Sequence, residues 1–189
     1  MRIPAARLEV VPADATVTVH SEGDALAGIE VLALFPNKTW VRAVTDETGS
    51  AKPNLYTANL PMTVYAAGHG YAAGLVREWV PGQGGLMLEL KTLGAGGSVI
   101  FESDTGHLPG LKGRLNPIRD TSDRTYLYAD NIAIDEGKQQ PVTFFPGKPI
   151  RLTDAHGVEM SVTIVDIWGR SALVEYRPFA GHLPAEEDA

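Results

Sequence analysis

The sequence predicts an all-β protein made of two small modules. Glycine and proline, with 20 and 13 residues, recur at intervals of about ten residues. They separate short runs rich in Val, Ile, Leu, Thr and Tyr, and we find no amphipathic stretch of convincing helical length. Hydrophobic residues make up 44% of the chain, as in folded globular proteins. This spacing is typical of sandwiches and barrels rather than of alternating strands and helices.

The first module is expected over residues 1–95. Val17 and Val19 alternate with threonines, which is the pattern of a half-buried strand. A turn is predicted at Asp46 and Gly49, because aspartate bonds its own backbone and glycine accepts a positive φ. Further strands are expected at Gly28–Phe35, Trp40–Thr45, Leu55–Thr57, Met62–Ala67, Ala72–Trp79 and Leu86–Leu90.

Four segments of this module carry a family resemblance: residues 17–19, 26–31, 44–51 and 62–71. With the turn at Asp46 to Gly49 and the final Gly70-Tyr71, they resemble the carboxypeptidase regulatory-like family. The resemblance implies a prealbumin-like, seven-stranded sandwich and a non-catalytic accessory role in folding, spacing or partner contact. Pro53 departs from the alternation of the fourth strand, so that strand is expected to be short or at an edge.

A hinge is predicted between the modules, at residues 93–98, where three glycines occur in four positions. The second module, residues 96–180, is expected to be a small β-barrel, SH3-like or similar. Its last strands form a predicted meander with turns at 153–157 and 168–170. Residues 181–189 are expected to be an acidic, flexible tail. The strands of this module are expected at Ser98–Glu102, Thr125–Ile134, Val142–Phe145, Pro149–Thr153, Glu159–Ile167 and Ser171–Tyr176.

Composition excludes several classes of function. The chain has no cysteine, which removes disulfides, thiolate nucleophiles and cysteine-based metal sites. Its net charge of −7 opposes non-specific binding of phosphate backbones, and no apolar stretch approaches the length of a membrane span. Without a recognisable leader, the chain is predicted to be a cytoplasmic bacterial protein. No Walker, Rossmann, EF-hand or Gly-x-Ser-x-Gly motif occurs, so we expect no cofactor, no metal and no catalytic residue.

Residues 112–128 are the least generic part of the chain, and the loop at 107–124 lacks clear strand periodicity. Long irregular segments in compact domains are often functional, and Arg and Tyr are common anchors at interfaces. We therefore expect a protein partner to bind the second module, and edge-strand pairing leaves a homo-oligomer open. The six residues expected to bind the partner are Lys112, Arg114, Arg119, Arg124, Tyr126 and Trp168.

Three other interpretations are open for these residues. One is a network within the module, in which Arg119 and Arg124 pair with nearby aspartates. Another is nucleic-acid binding through Lys112, Arg114 and Arg119, recognisable by a steep dependence on salt. The least favoured is a metal-assisted hydrolase centred on Asp104 and His107, although catalytic triads normally assemble from distant segments. The sequence thus predicts a non-enzymatic, two-domain interaction protein.

Overall fold

A computed structural model of the chain describes residues 15–55 and 59–179. The described part is all-β, as predicted, and its only helix is the single 3₁₀ turn Pro81–Gln83. Within this part no helix has the length and apolar character needed to cross a membrane. The strands are β1 (Val17–Ser21), β2 (Asp24–Ala25), β3 (Glu30–Leu34), β4 (Trp40–Val44), β5 (Ser50–Ala51), β6 (Met62–Ala67), β7 (His69–Tyr71), β8 (Gly74–Trp79), β9 (Leu86–Glu89), β10 (Thr92–Phe101), β11 (Arg114–Arg119), β12 (Thr125–Asp130), β13 (Ile132–Ile134), β14 (Val142–Thr143), β15 (Pro149–Asp154), β16 (Glu159–Trp168) and β17 (Ser171–Pro178).

The described strands form four sheets. In the first, β1 pairs with β2 and β5 in antiparallel fashion and with β9 in parallel. The second has the order β4-β3-β6-β8 and is antiparallel throughout. The third has the order β13-β15-β16-β17-β10-β7, and the fourth the order β11-β12-β14.

Three apolar clusters show that the four sheets are stacked in the order first, second, third and fourth. Val17 of the first sheet and Val31 of the second share one cluster. Leu32, on the opposite face of the second sheet, shares another with Leu173 of the third. The third and fourth sheets enclose the largest cluster, which contains Leu127 and Val162. Because β3 is buried on both faces, its sequence is a continuous apolar run rather than an alternating one.

The segment predicted as a hinge, residues 93–98, is part of the continuous strand β10. Gly97 pairs with Tyr176 of β17 on one side and with His69 of β7 on the other. Its glycines therefore allow two backbones to approach closely: a Cβ on Gly97 would lie 2.8 Å from the Gly68 carbonyl oxygen. The hinge prediction is wrong, because these residues form a paired strand. Glycine occurs both in flexible linkers and where backbones pack closely, and here the close packing requires it.

The irregular segment predicted at 107–124 contains strand β11, which pairs with β12 along its whole length. Pro117 lies within this strand and obscured its periodicity. Proline is tolerated there because β11 is at the edge of its sheet, where one side of the backbone needs no ladder partner. The strand expected at 125–134 is divided into β12 and β13 at Asn131, which has a φ of 60°.

Two predicted turns are confirmed. The Asp46 Oδ1 atom accepts hydrogen bonds from the backbone N–H groups of Thr48 and Ser50, and Gly49 has a φ of 72°. Asp154 accepts equivalent bonds from residues 156 and 158. The strand that Pro53 was expected to shorten is short, since β5 has two residues and ends before that proline. The acidic tail and part of the expected strand at 55–57 lie outside the described residues.

Candidate functional site: the outer face of the fourth sheet

The fourth sheet turns one face to the core and the other outwards. Leu115 and Leu127 are buried against the third sheet. Since side chains alternate along a strand, the residues beside them point away from the core. Cross-strand pairing sets Arg114 opposite Asp130, and Asn116 opposite Tyr128. We call the following set the outer face: Arg114, Asn116 and Ile118 on β11, with Tyr126, Tyr128 and Asp130 on β12.

A cavity of about 280 Å³ lies at one end of the outer face. Arg114, Asn116, Tyr128 and Asp130 line it, together with Gln140 from the loop before β14. The Gln140 side chain is held by the backbone: its Oε1 accepts from the Ala129 N–H at 2.6 Å, and its Nε2 donates to the Ile132 carbonyl at 3.4 Å. The cavity thus combines a cation, an anion, two amides and an aromatic ring.

The two charged groups of this cavity have no ion-pair partner within 4.0 Å among the described residues, although Arg114 and Asp130 face each other in register. Most of the other arginines in the described part are paired. Arg119 and Arg124, for example, pair with aspartates of the β11–β12 turn. Arg114 is therefore an exposed guanidinium whose five donors are open to a ligand.

Asn116 is the second distinctive group in the cavity. Its Oδ1 atom is buried and accepts no hydrogen bond from any described residue. A buried acceptor without a donor destabilises a protein by about 1–3 kcal/mol relative to a satisfied one. Such a group is uncommon in native structures and calls for an explanation. Opposite it on β12, Tyr128 is 42% exposed, so its ring is accessible to a ligand.

The other end of the outer face is a closed ionic turn. Arg119 Nε donates to Asp123 at 2.7 Å, and this hydrogen bond raises the pKa of the guanidinium. Arg124 Nε donates to Asp120 at 2.9 Å, and the Arg124 guanidinium carbon lies 5.7 Å from the Tyr126 ring centroid. Hydrogen bonds from the backbone N–H groups of residues 124 and 122 lower the pKa of the Asp120 carboxyl. Arg119 and Arg124 thus form ion pairs within the module, as one of the alternative interpretations of the sequence expected.

A second cavity, of about 290 Å³, lies beside this turn. Tyr126, Arg124 and Phe145 are among its lining residues, and Phe145 is 71% exposed. Tyr126 of this cavity and Tyr128 of the polar one are two residues apart on β12, about 7 Å. Arg119, Thr125 and Phe144 also line the second cavity, so it lies where the outer and inner sides of the sheet meet. The polar cavity of the outer face and this more apolar cavity are thus neighbours, with Tyr126 and Tyr128 between them.

The structure separates the six residues predicted to bind a partner. Arg114 and Tyr126 lie on the outer face, with Arg124 over the Tyr126 ring. The sixth, Trp168, lies at the contact between the second and third sheets, where its Nε1 donates to the Phe35 carbonyl at 3.3 Å. Lys112 precedes β11, and its backbone N–H donates to Asp154 at 3.0 Å. Arg119 points to the inner side and donates to the Ile167 carbonyl at 3.2 Å.

Asp104 and His107, the centre of the proposed hydrolase, do not come together. The single Nε–H group of Arg170 is shared between the two carboxylate oxygens of Asp104, each 3.1 Å from the nitrogen. His107 Nδ1 lies 2.7 Å from the Gly113 carbonyl oxygen. In the ranges that the structure describes, no cluster of three His, Asp or Glu side chains is placed to hold a metal. Asp104 is thus tied to the turn between β16 and β17, and His107 to a carbonyl of its own loop.

A buried ionic contact joins the second and third sheets. The Asp166 carboxylate, with only 3% of its side chain exposed, accepts from Tyr65 Oη at 2.8 Å and from Arg77 Nη2 at 2.9 Å. Burial, and then the negative charge of Asp166, raise the pKa of the Tyr65 hydroxyl far above its ordinary value. Both carboxylate oxygens are therefore satisfied, and we assign this contact to structure rather than to chemistry.

Sequence reasoning missed Asn116, Asp130 and Gln140 and did not select Tyr128. The signal was present, because Arg114, Asn116 and Ile118 alternate with Leu115 and Pro117 as the two faces of a strand. Pro117 led us to read the segment as irregular. Gln140 approaches from a loop, and no periodicity in the sequence predicts that.

Comparison with known proteins adds one informative relative. No protein-family model matches the chain. A protein of Aquimarina amphilecti described as "3' cyclic ADP-D-ribose synthase AaTIR" is 32% identical over 147 residues. The alignment covers 78% of this chain and 44% of the relative, so the chain spans less than half of that enzyme. The resemblance of the first module to the carboxypeptidase regulatory-like family is not tested by either finding and stays a prediction.

This similarity overturns the functional prediction. The chain was predicted to be a non-catalytic interaction protein and not an enzyme, whereas the relative is a synthase. The description of the chain as a protein-binding, prealbumin-like accessory is contradicted for the same reason. The prediction was wrong because it depended on short catalytic motifs, whereas the similarity extends over 147 residues.

Proposed function

We propose that this chain takes part in the enzymatic formation of a cyclic ADP-ribose. The observation that supports the proposal is the 32% identity to a 3' cyclic ADP-D-ribose synthase over 147 residues. Because those residues are 44% of the synthase, the proposal concerns the contribution that this part of the enzyme makes. The predicted cytoplasmic location is kept as part of the proposal.

The chemistry of the reaction defines its substrate class. An ADP-ribose closes into a ring when its distal ribose carries a leaving group at C1. In NAD⁺ the leaving group is nicotinamide: the bond from C1 to the pyridinium nitrogen breaks, and nicotinamide departs neutral. A hydroxyl or ring nitrogen of the same molecule then bonds to C1, and a hydroxyl nucleophile loses its proton. The protein must therefore bind a dinucleotide with its two ends close together.

The experiment replaces the matched region of the Aquimarina enzyme with the corresponding residues of this chain. The chimera, the parent enzyme and the 189-residue chain are each incubated with NAD⁺. Nicotinamide and cyclic ADP-ribose are then measured by liquid chromatography and mass spectrometry. A parent enzyme lacking the matched region is the control, because it shows whether that region contributes to the reaction at all.

Product from the chimera or from the chain, with none from the deletion variant, would support the proposal. A folded chimera without product beside an active parent would overturn it. Full activity of the deletion variant would also overturn it, since the region would then be dispensable. Circular dichroism of each preparation separates loss of activity from loss of fold.

A further inference from the structure

The polar cavity of the outer face has the chemistry of a nucleotide site. A nucleotide offers a planar base, a ribose with two neighbouring hydroxyls and a negatively charged phosphate chain. The cavity offers Tyr128 as an exposed ring, Asp130 as a carboxylate and Arg114 as a guanidinium. Each part of such a ligand would therefore meet a group that binds it.

Arg114 and Asp130 are better placed to bind a ligand than to form an ion pair with each other. Arg114 and Asp130 are opposite each other in register, yet no ion pair is formed between them. A guanidinium binds phosphate through parallel N–H donors, and a carboxylate accepts from ribose hydroxyls. A ligand carrying both groups would satisfy the cation and the anion together.

Asn116 supplies the independent observation. Its Oδ1 atom is buried and has no donor among the described residues, while its side chain lines the cavity. Rotation of the amide would present this oxygen to a base amino group or a ribose hydroxyl. The ligand would thus supply the donor that the Asn116 oxygen lacks, and the hydrogen bond formed would stabilise the complex.

The presence of two adjoining cavities favours a dinucleotide over a mononucleotide. The second cavity, beside Tyr126 and Phe145, adjoins the polar one about 7 Å along the same strand, so the two together offer room for a second riboside. Two tyrosines on one face of β12 give two surfaces on which aromatic rings stack. A pyrophosphate between two ribosides spans such a distance.

We propose that the outer face of the fourth sheet binds an ADP-ribose-type dinucleotide, the substrate or product class of the reaction. The choice of ligand rests on the proposed function. Arg114 holds a phosphate, Asp130 a ribose, and Tyr128 stacks on the adenine, with Asn116 reading its edge. The ligand turns at Arg114, so that the second ribose folds back beside the adenine on the side of Tyr126 and the two ends of the dinucleotide are close together.

The test is isothermal titration calorimetry of the 189-residue chain with ADP-ribose, NAD⁺ and AMP as probes. We expect ADP-ribose to bind, and AMP to bind more weakly because it lacks the second riboside. Arg114→Ala is expected to weaken ADP-ribose binding about tenfold or more, the effect of losing a charge-assisted bond to phosphate. Arg177→Ala, which removes an exposed arginine on β17 that pairs with Glu175, is the matched control and should bind like wild type.

Asn116→Leu distinguishes a binding role from a structural one. It removes the unsatisfied oxygen at similar volume, so the midpoint of thermal unfolding should be unchanged or higher while ADP-ribose affinity falls. No binding of ADP-ribose by the folded wild-type chain at millimolar concentration would overturn the inference, as would wild-type affinity in Arg114→Ala. Absent binding together with product in the chimera assay would refute this site and leave the proposed function intact.

Discussion

Replacing Gly96 with alanine tests whether residues 93–98 are a hinge or a packed strand. Gly96 has a φ of 106°, a conformation that costs an L-residue about 1–2 kcal/mol. A Cβ there would overlap the Tyr176 carbonyl oxygen and lie 2.9 Å from the Arg177 Cα. Because those atoms belong to the backbone of β17, the two strands would have to separate, at about 1–3 kcal/mol. The total is a loss of about 2–5 kcal/mol in the free energy of unfolding.

The control is Gly94→Ala in the same strand, since an added Cβ there would meet nothing within 4 Å. This variant should have wild-type stability or gain up to about 1 kcal/mol through a less flexible unfolded chain. For a protein of this size, Gly96→Ala should lower the midpoint of thermal unfolding by about 4–20 °C. Differential scanning calorimetry measures both variants. Equal midpoints for Gly96→Ala and Gly94→Ala would refute the packed-strand description and restore the hinge.

Three further predictions concern ionisable groups. Tyr65→Phe removes a hydrogen bond to the buried Asp166 carboxylate and should lower the free energy of unfolding, measured in urea at pH 7, by about 1.5–3 kcal/mol. Tyr176→Phe is the control and should lower it by about 1 kcal/mol, because its partner is an imidazole. Equal losses in the two variants would contradict this prediction. Because the pKa of Tyr65 is raised in the folded protein, its stabilising effect is complete below pH 10 and declines as the pH rises further, so the stability gap between wild type and Tyr65→Phe should narrow above pH 10. Hydrogen bonds from the backbone N–H groups of Lys112, residue 158 and residue 156 lower the pKa of Asp154. Asp154→Ala should therefore lower the midpoint of thermal unfolding at pH 7, and the difference from wild type should shrink as the pH falls below about 3.8, the ordinary pKa of the group. An equal difference at pH 2 and pH 7 would argue against these hydrogen bonds.

Local patterns in the sequence predicted the parts of the fold that local physics controls. The valines of β1 alternate with threonines, and the aspartate turns at Asp46 and Asp154 bond their own backbones. Long-range contacts were beyond such reasoning. The hinge was misjudged because glycine at 96 and 97 meets a distant strand, and nothing within the segment signals that contact.

The candidate site was only partly predictable for the same reason. Arg114 and Tyr126 were selected by residue type, and both lie on the outer face. The cavity depends on the register of β11 against β12, which brings Asp130 and Tyr128 beside Arg114 and Asn116. Trp168 was selected because it was expected in a turn, whereas it ends a ten-residue strand and packs between two sheets.

Strand β10 has a consequence for any attempt to divide the protein. Its first residues hydrogen-bond to β7, a segment of the predicted first module, while its later residues pair with β17 in the second. Cleavage at the predicted boundary would leave both fragments with an open strand edge, the kind of surface that recruits other chains into aggregates. The two modules are therefore expected to melt in one transition, and a ligand that stabilises the outer face should protect β7 amides from hydrogen exchange as well.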